Sequence, residues 1–239
     1  MATARFRKPK PFGSRSETSE VSEPKKSFYI VCEGEKTENQ YFNGVFNHRS
    51  ALKINQLIDI VVIEQEEGAP HVPHPKHLVD ACVNMISDEK STKSDLINYD
   101  KSIDEIWIIF DRDPQTLFEE QFEYVVETCI ENGFHIGFTN PTFEFWLLLH
   151  LPDIQQYQTE MLLVNEKVGG KNSKRFVEKE LSNRLENGYK KDNIRFERFI
   201  DKVELAIEQE KLFKRDILDI FTNVGSNIGI LISKMKSSI

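Results

Sequence analysis

Apolar residues in this 239-residue chain occur in short continuous runs that alternate with segments of helical periodicity. Four runs have the length and the β-branched or aromatic content of strands buried on both faces: 27–32, 58–63, 105–110 and 134–138. Between them, apolar residues recur at spacings of three and four, which is the period of an amphipathic helix. The order β-α-β-α-β-α-β-α predicts an α/β fold with a parallel sheet flanked by helices.

The predicted helices start near residues 37, 76, 114 and 143, each after one of the four strands. Asn132-Gly133 is typical of a helix end and closes the third. The fourth, Phe143–Leu151, is apolar on almost every face, which is typical of a buried helix. We therefore expect an α/β core of 27–152, followed by a helical C-terminal region, 153–239, that packs on it.

Residues 1–26 are rich in Lys, Arg, Pro and Ser, and this composition predicts a flexible basic arm. The arm is either a solubilising tail or a segment that grips phosphates or a partner. It has no apolar stretch typical of a signal peptide, and no run in the chain has the length of a membrane span. We therefore expect a cytoplasmic protein that makes no membrane contact.

The net charge of −8 argues against a protein that coats nucleic acid non-specifically. It is compatible with a nuclease, because carboxylates that hold metal ions contribute to the negative charge. The three cysteines, Cys32, Cys82 and Cys129, have no paired spacing, so neither a zinc ribbon nor a disulfide framework is expected.

Acidic residues follow two of the predicted strands. Glu33 comes directly after the first, and Asp111 and Asp113 come directly after the third. Ligands of open parallel sheets bind at the carboxyl ends of the strands, so these carboxylates converge if the two strands are neighbours. Carboxylates that are close together repel one another, and a hard divalent cation such as Mg²⁺ or Mn²⁺ removes the repulsion. The pattern predicts Mg²⁺-dependent phosphodiester chemistry.

Other interpretations of these residues stay open. Acidic residues after strands are often helix caps or solvated loop charges. His71, His74 and His77 are a weak candidate for a zinc site and equally suit a rim loop. The segment 111–116 is similar to the loop of phosphatases that use an aspartyl nucleophile, although its threonine stands one place late. No Gly-rich lysine loop and no GxGxxG motif is present.

Several motifs together resemble the RloB family. They are VCEGEKTE at 31–38, Tyr41-Phe42, FDRD at 110–113 and NPTFEFWLLLH at 140–150. That family has a Toprim-type catalytic fold and is associated with prokaryotic defence and restriction–modification loci. The resemblance covers the chain from about residue 27 to its end. It implies a Toprim-like, Rossmannoid sheet and a nuclease activity.

The resemblance also implies roles for five acidic residues. Glu33 matches the Toprim glutamate, which acts as general acid/base or metal ligand. Asp111 and Asp113 match the pair that binds Mg²⁺. Glu38 and Glu144 match further acidic positions, which hold a second ion or the outer shell of the site. Without the resemblance, Glu144 is equally a structural ion pair or a helix N-terminal charge.

The resemblance also covers His150 and the segment 189–191, whose roles are less certain. We take Lys190 as a candidate catalytic residue, because a lysine there would stabilise charge on the phosphate in the transition state. Read from the sequence alone, His150 is a helix-end histidine that interacts with the helix dipole.

Basic residues are plentiful between 165 and 198, where acidic residues are also interspersed. They line either a phosphate-binding groove or a solvated helix face. The candidate nucleic-acid-binding residues are Lys171, Lys174, Arg175 and Lys191.

The leading hypothesis is a Mg²⁺- or Mn²⁺-dependent endonuclease that acts on DNA or RNA in a prokaryotic antiviral defence system. The alternatives are a non-catalytic module that binds nucleic acid or an ATPase, and a Mg²⁺-dependent phosphatase or phosphotransferase. The resemblance implies an ATPase encoded alongside as a partner. Whether the protein forms a homo-oligomer does not follow from the sequence.

Overall fold

The computed structural model describes residues 6–7, 26–34, 36–65, 74–87, 99–113, 117–170 and 173–238. The strands are β1 (Phe6–Arg7), β2 (Lys26–Cys32), β3 (Ile58–Gln65), β4 (Glu105–Asp111), β5 (His135–Asn140), β6 (Lys167–Val168), β7 (Lys174–Arg175) and β8 (Gly225–Ser226). The helices are α1 (Thr37–Asn47), α2 (Pro75–Ser87), α3 (Glu119–Asn132), α4 (Phe143–Leu148), α5 (Thr159–Val164), α6 (Phe176–Arg184), α7 (Val203–Glu210), α8 (Ile217–Thr222) and α9 (Ile228–Ser237). Short 3₁₀ turns span Ile154–Gln156, Phe196–Arg198 and Ile200–Lys202.

The central sheet has six strands in the order β1-β3-β2-β4-β5-β8. The four inner strands, β3, β2, β4 and β5, are parallel, whereas β1 and β8 pair antiparallel at the two edges. The predicted α/β class, with a mostly parallel sheet flanked by helices, is confirmed. The sheet is mixed rather than wholly parallel, because β8 returns from the C-terminal region and adds a two-residue antiparallel edge. Of the predicted arm 1–26, only residues 6–7 and 26 lie within the described part.

Side chains of the inner strands alternate between two apolar layers. On β2, Phe28, Ile30 and Cys32 pack in one layer and Tyr29 and Val31 in the other. The first layer contains α1, α4, α6, α7 and α9, and the second contains α2, α3 and α8. Burial on both faces explains why the strands are continuous apolar runs in the sequence. Because the C-terminal helices share both layers with the sheet, they are part of its core.

The buried helix after β5 is shorter than predicted. Every residue of α4 is buried, but the helix ends at Leu148 and continues as a turn rather than reaching Leu151. Pro152 disfavours helical backbone in the residue before it, which explains the early end. No helix in the described ranges combines the length and the apolar character that a bilayer crossing requires.

A candidate acidic active site

The carboxyl ends of β2 and β4 lie side by side, so the adjacency assumed from the sequence is confirmed. Cys32 stands opposite Ile109 in the register, and the backbone N–H of Glu33 donates to the Ile109 carbonyl at 2.8 Å. The Glu33 carboxylate in turn accepts a hydrogen bond from the backbone of Asp111. The pairing of the two strands therefore brings Glu33 against the end of β4.

Helix α1 adds a second glutamate to this edge of the sheet. Glu38 lies in the first turn of α1, and its carboxylate folds back over Gly34. A Cβ atom at position 34 would overlap that carboxylate, so any other residue there requires Glu38 to move. The glycine in the turn after β2 therefore makes room for a carboxylate of the site.

Helix α4 contributes Glu144, which is almost fully buried. Its Oε1 accepts hydrogen bonds from the Tyr189 hydroxyl at 3.1 Å and from Lys191 Nζ at 3.0 Å. Thr37 Oγ1 lies 3.3 Å from the Tyr189 hydroxyl and donates to the Lys191 carbonyl at 3.3 Å. These contacts hold the segment 189–191 between the starts of α1 and α4, next to the acidic residues.

Asp111 ends β4 in the middle of this group. Its Oδ1 is inaccessible to solvent and has no hydrogen-bond partner within the described residues. Burial raises the pKa of Asp111 well above its ordinary value, and the neighbouring charges of Glu38, Glu144 and Glu33 raise it further. The backbone N–H of Phe143 lowers the pKa of Asp111, and the positive charge of Lys191 interacts with it, but these contacts offset burial only in part.

The pKa values of Glu33 and Glu38 are raised for the same reason. Burial raises the pKa of Glu33 to about 7, and the charges of Glu38 and Asp113 add to the effect. Burial likewise raises the pKa of Glu38 to about 7, with a further contribution from Glu144 that Lys191 opposes. For Lys191, burial lowers the pKa but Glu144 outweighs it, so the pKa is raised and the ammonium stays charged. One lysine thus faces several carboxylates.

No group of three or more His, Cys, Asp or Glu side chains within the described residues is placed so that it could hold a metal ion. A cation at this site therefore stays a prediction. Carboxylate groups turn readily about their terminal torsions, so a small rearrangement of these side chains costs little free energy. A buried oxygen without a hydrogen-bond partner costs more. Clustered oxygen donors suit Mg²⁺ or Mn²⁺. Asp111 and Glu33 would hold the ion, and the exposed Asp113 stands two residues beyond β4.

The basic residues that were predicted to act in catalysis or in nucleic-acid binding differ in their contacts. Both Lys190 and Lys191 are exposed, but Lys191 also contacts Glu144. Lys174 Nζ donates to the Tyr189 carbonyl at 3.1 Å and pairs with Glu178 at 3.3 Å, so it supports the segment 189–191. Arg175 is half-buried at the start of α6, and Lys171 lies outside the described residues. Nucleic-acid binding by all four candidates stays a prediction.

His150 is a buried neutral residue in the turn that directly follows α4, so the predicted helix-end position is confirmed. Burial lowers its pKa to about 3. The Trp146 carbonyl lies 3.0 Å from Nδ1, which must donate, so Nε2 accepts from the Tyr41 hydroxyl at 3.1 Å. The ring also packs edge-on against Phe199 at 5.2 Å. His150 therefore links α4 to α1 and to the C-terminal region.

The candidate zinc histidines include one that begins α2. The backbone N–H groups of His77 and Leu78 both donate to the His74 carbonyl, and His74 Nδ1 accepts from the Lys76 N–H at 3.2 Å. His74 therefore caps the helix, while His71 lies outside the described residues. The cap explains His74 without a metal ion.

Arg112 is a site residue that the sequence does not single out. Its Nε donates to the Phe221 carbonyl at 3.2 Å, and its guanidinium lies 4.2 Å from the Phe221 ring centroid. Its Nη1 also donates to the carbonyls of Asp113 at 3.1 Å and of Leu117. Arg112 thus fixes the segment between Asp111 and Asp113 against α8. No local pattern indicates this contact, because its partner lies more than a hundred residues away.

The fold and the site define an α/β protein with a mostly parallel sheet and with carboxylates of raised pKa at adjacent strand ends. Within that class, the chain belongs to the RloB-like protein family, whose model matches residues 28–235. No curated protein matches the chain significantly, and no solved structure does either.

Proposed function

We propose that this protein is a Mg²⁺- or Mn²⁺-dependent endonuclease with a Toprim-like site, which hydrolyses phosphodiester bonds of DNA or RNA in prokaryotic antiviral defence. The observation that carries the chemistry is the solvent-inaccessible Asp111 Oδ1, which has no hydrogen-bond partner in the described ranges and lies among other carboxylates. The defence role, and an ATPase as partner, rest on the family resemblance alone.

The side chains divide the work of such a reaction. A Mg²⁺ ion at Asp111 and Glu33 would polarise the phosphoryl oxygen and supply an activated water molecule. Glu144 holds Lys191 at 3.0 Å, which keeps a positive charge beside the carboxylates. An ammonium group there stabilises charge that develops on the scissile phosphate. The sequence favoured Lys190 for this role, but the contacts favour Lys191.

Arg112 and Tyr189 act as positioning residues. Arg112 ties the Asp111–Asp113 segment to α8, and Tyr189 orients Glu144 through its hydroxyl. Placement of catalytic groups to within a fraction of an ångström depends on such supporting contacts. These contacts support the proposal because they hold the backbone near the carboxylates in place.

The test is a cleavage assay on a panel of labelled substrates with Mg²⁺ or Mn²⁺. The panel contains duplex DNA, single-stranded DNA, tRNA and p-nitrophenyl phosphate. Glu33→Gln and Asp111→Asn are each expected to lower cleavage by on the order of a thousandfold, because each removes a ligand charge. Glu127→Gln, the same chemical change on the exposed face of α3, is the matched control and keeps full activity.

Three outcomes would contradict the proposal. Hydrolysis of p-nitrophenyl phosphate alone would identify a phosphatase. Tight binding of nucleic acid without cleavage by the wild-type protein would identify a non-catalytic module. Cleavage that survives in both Glu33→Gln and Asp111→Asn would move the reaction away from this site.

A further inference from the structure

A cleft of about 550 Å³ lies in the C-terminal helical region, beyond the acidic site. Its ionisable lining residues are Arg184, Glu186, Arg195, Glu197, Arg198 and Lys202. Four of the six are cationic and two are anionic, so the lining carries a local excess of positive charge in a chain whose net charge is −8. Such a local reversal of sign attracts anions.

The four cations of this cleft are not neutralised by neighbouring carboxylates. The ion pairs found in the part of the chain that the structure describes include none of them. Two of the arginines are instead oriented by neutral carbonyls, since Arg184 Nη2 donates to Pro152 and Arg198 Nη1 donates to Gly188 at 2.8 Å. Arg184 Nη1 is inaccessible to solvent and has no hydrogen-bond partner among the described residues. The cleft therefore offers guanidinium groups that are held in place with their charge intact.

The backbone around this cleft is also unusual. Asn187 and Arg195 have positive φ angles of 63° and 50°, and Gly188 has 71°. Non-glycine residues in this region are strained, and such strain is frequent at ligand sites. Here Asn187 and Arg195 both line the cleft, and the carbonyl of the neighbouring Gly188 holds Arg198.

The wall of the cleft leads directly to the acidic site. Asn187 lines the cleft, and Lys191, only four residues further on, contacts Glu144. Four residues of extended chain span at most about 14 Å. That distance corresponds to about four nucleotide steps along one strand of a duplex. A strand held in the cleft can therefore reach the carboxylates.

We propose that the cleft between Arg184 and Lys202 binds backbone phosphates of the nucleic-acid strand a few nucleotides from the bond that is cut. This inference rests on the proposed nuclease function and names where its substrate is held. Guanidinium groups pair with phosphates in bidentate geometry, and such contacts position a strand without reading its sequence. The cleft is separate from the predicted contacts of Lys171, Lys174, Arg175 and Lys191.

The test measures binding separately from cleavage. Fluorescence anisotropy with labelled single-stranded and duplex oligonucleotides of DNA and RNA is recorded in EDTA, so that no cleavage occurs. The variant is Arg195→Gln/Lys202→Gln, which leaves the carbonyl-bound arginines in place. The matched control, Lys211→Gln/Lys214→Gln, removes the same charge from two exposed lysines that pair with Glu208 and Asp219. Circular dichroism confirms that both variants are folded.

The cleft variant is expected to bind at least tenfold more weakly than the control. The slope of the logarithm of its binding constant against the logarithm of the salt concentration should be shallower by about 1.4. Each phosphate contact on a single strand contributes about 0.7 to that slope, and the variant loses two such contacts. Equal affinity and equal salt dependence in the two variants would overturn the inference. So would loss of inorganic phosphate binding without loss of oligonucleotide binding, because the cleft would then serve a small anion.

Failure of this inference is distinguishable from failure of the nuclease proposal. If the wild-type protein cleaves and the cleft variant binds like the control, only the cleft assignment is wrong. If the cleft variant loses binding but the wild-type protein cleaves nothing with Mg²⁺ or Mn²⁺, only the nuclease proposal is wrong. If the wild-type protein binds no oligonucleotide, both are overturned.

Discussion

The two ends of β4 carry buried carboxylates in opposite circumstances. Glu105, at the start of the strand, pairs with Lys26 at 2.7 Å and Lys234 at 2.9 Å and accepts from Trp107 Nε1 at 3.0 Å. Burial alone would raise the pKa of Glu105, but these three donors lower it below its ordinary value. Asp111, at the other end, has an Oδ1 without a partner and a raised pKa.

The difference separates a carboxylate held in ion pairs from one that we propose to be functional. Charge at Glu105 is balanced by residues of β2 and α9, so it holds the sheet together. The pKa of Asp111 stays raised by burial and by the neighbouring carboxylates, although Phe143 and Lys191 interact with it. We therefore propose that the strand contributes to stability at its amino end and to chemistry at its carboxyl end, where ligands of parallel sheets bind.

Glu105→Gln removes the carboxylate at the start of β4, and of these substitutions it has the largest expected effect on stability. The substitution leaves Lys26 and Lys234 without their shared anion, so the free energy of unfolding should fall by about 3 kcal/mol. Urea unfolding followed by circular dichroism measures the change. Cleavage per folded molecule should stay at the wild-type level.

The control for this variant is Glu123→Gln, the same change at an exposed position of α3. The comparison fails if Glu105→Gln abolishes cleavage while the free energy of unfolding is unchanged.

Glu210 is a third buried carboxylate to compare with Glu105 and Asp111, because its pKa is raised although it has hydrogen-bond and ion-pair partners. Burial raises the pKa of Glu210 from 4.5 to about 7, against the lowering effect of the Gly229 N–H at 2.8 Å and of Arg215. The folded state therefore holds a proton that the unfolded state releases between these values. The contribution of this pKa shift to the free energy of unfolding is therefore fully present below pH 4.5, and it is lost as the pH rises through 7.

Glu210→Gln should remove this pH dependence. Between pH values of about 5 and 7, the wild-type free energy of unfolding should fall by about 2 kcal/mol more than that of the variant. Denaturant unfolding in EDTA at both pH values measures the difference. Glu208→Gln, on the exposed side of the same helix, should behave as wild type. Equal pH dependence in both variants, or loss of cleavage in Glu210→Gln, would count against a purely structural role.

The sequence predicts the parts of this picture that are local. Continuous apolar runs gave the four inner strands, and the rule for strand ends placed Glu33 and Asp111 at one edge of the sheet. The order of the strands needed only that the first and third be neighbours, which Cys32 opposite Ile109 confirms. Those parts depend on periodicity and topology, which a single sequence carries.

The parts that could not be predicted depend on residues far apart in the chain. Glu144 meets Lys191 across nearly fifty residues, and the choice between Lys190 and Lys191 depends on how the segment docks on α1. His150 became neutral because Phe199, from the C-terminal region, helps to bury it. Arg112 finds its partner on α8 in the same way. Packing over such distances leaves no periodic signal in the sequence.

The prediction with the smallest expected effect concerns Asp111, at the carboxyl end of β4, and it is measured by stability rather than by cleavage. Asp111→Asn removes a carboxylate whose pKa is raised by burial and by the neighbouring carboxylates, so in EDTA the free energy of unfolding should rise by about 1 kcal/mol. Glu105→Gln moves stability in the opposite direction, although both changes remove one carboxylate from the same strand. Asp201→Asn, at an exposed position, serves as the control.

Added Mn²⁺ should then reverse the order of stability. At a concentration about a hundredfold above its dissociation constant, a bound ion stabilises the folded wild-type protein by about 3 kcal/mol, whereas the variant lacks the ligand that binds it. Thermal unfolding in EDTA and in Mn²⁺ measures both shifts. A variant that is less stable than wild type in EDTA would show that the contacts of Asp111 with Phe143 and Lys191 outweigh the cost of its burial. The two ends of β4 would then be alike, and the case for a cation at this site would fail with the comparison.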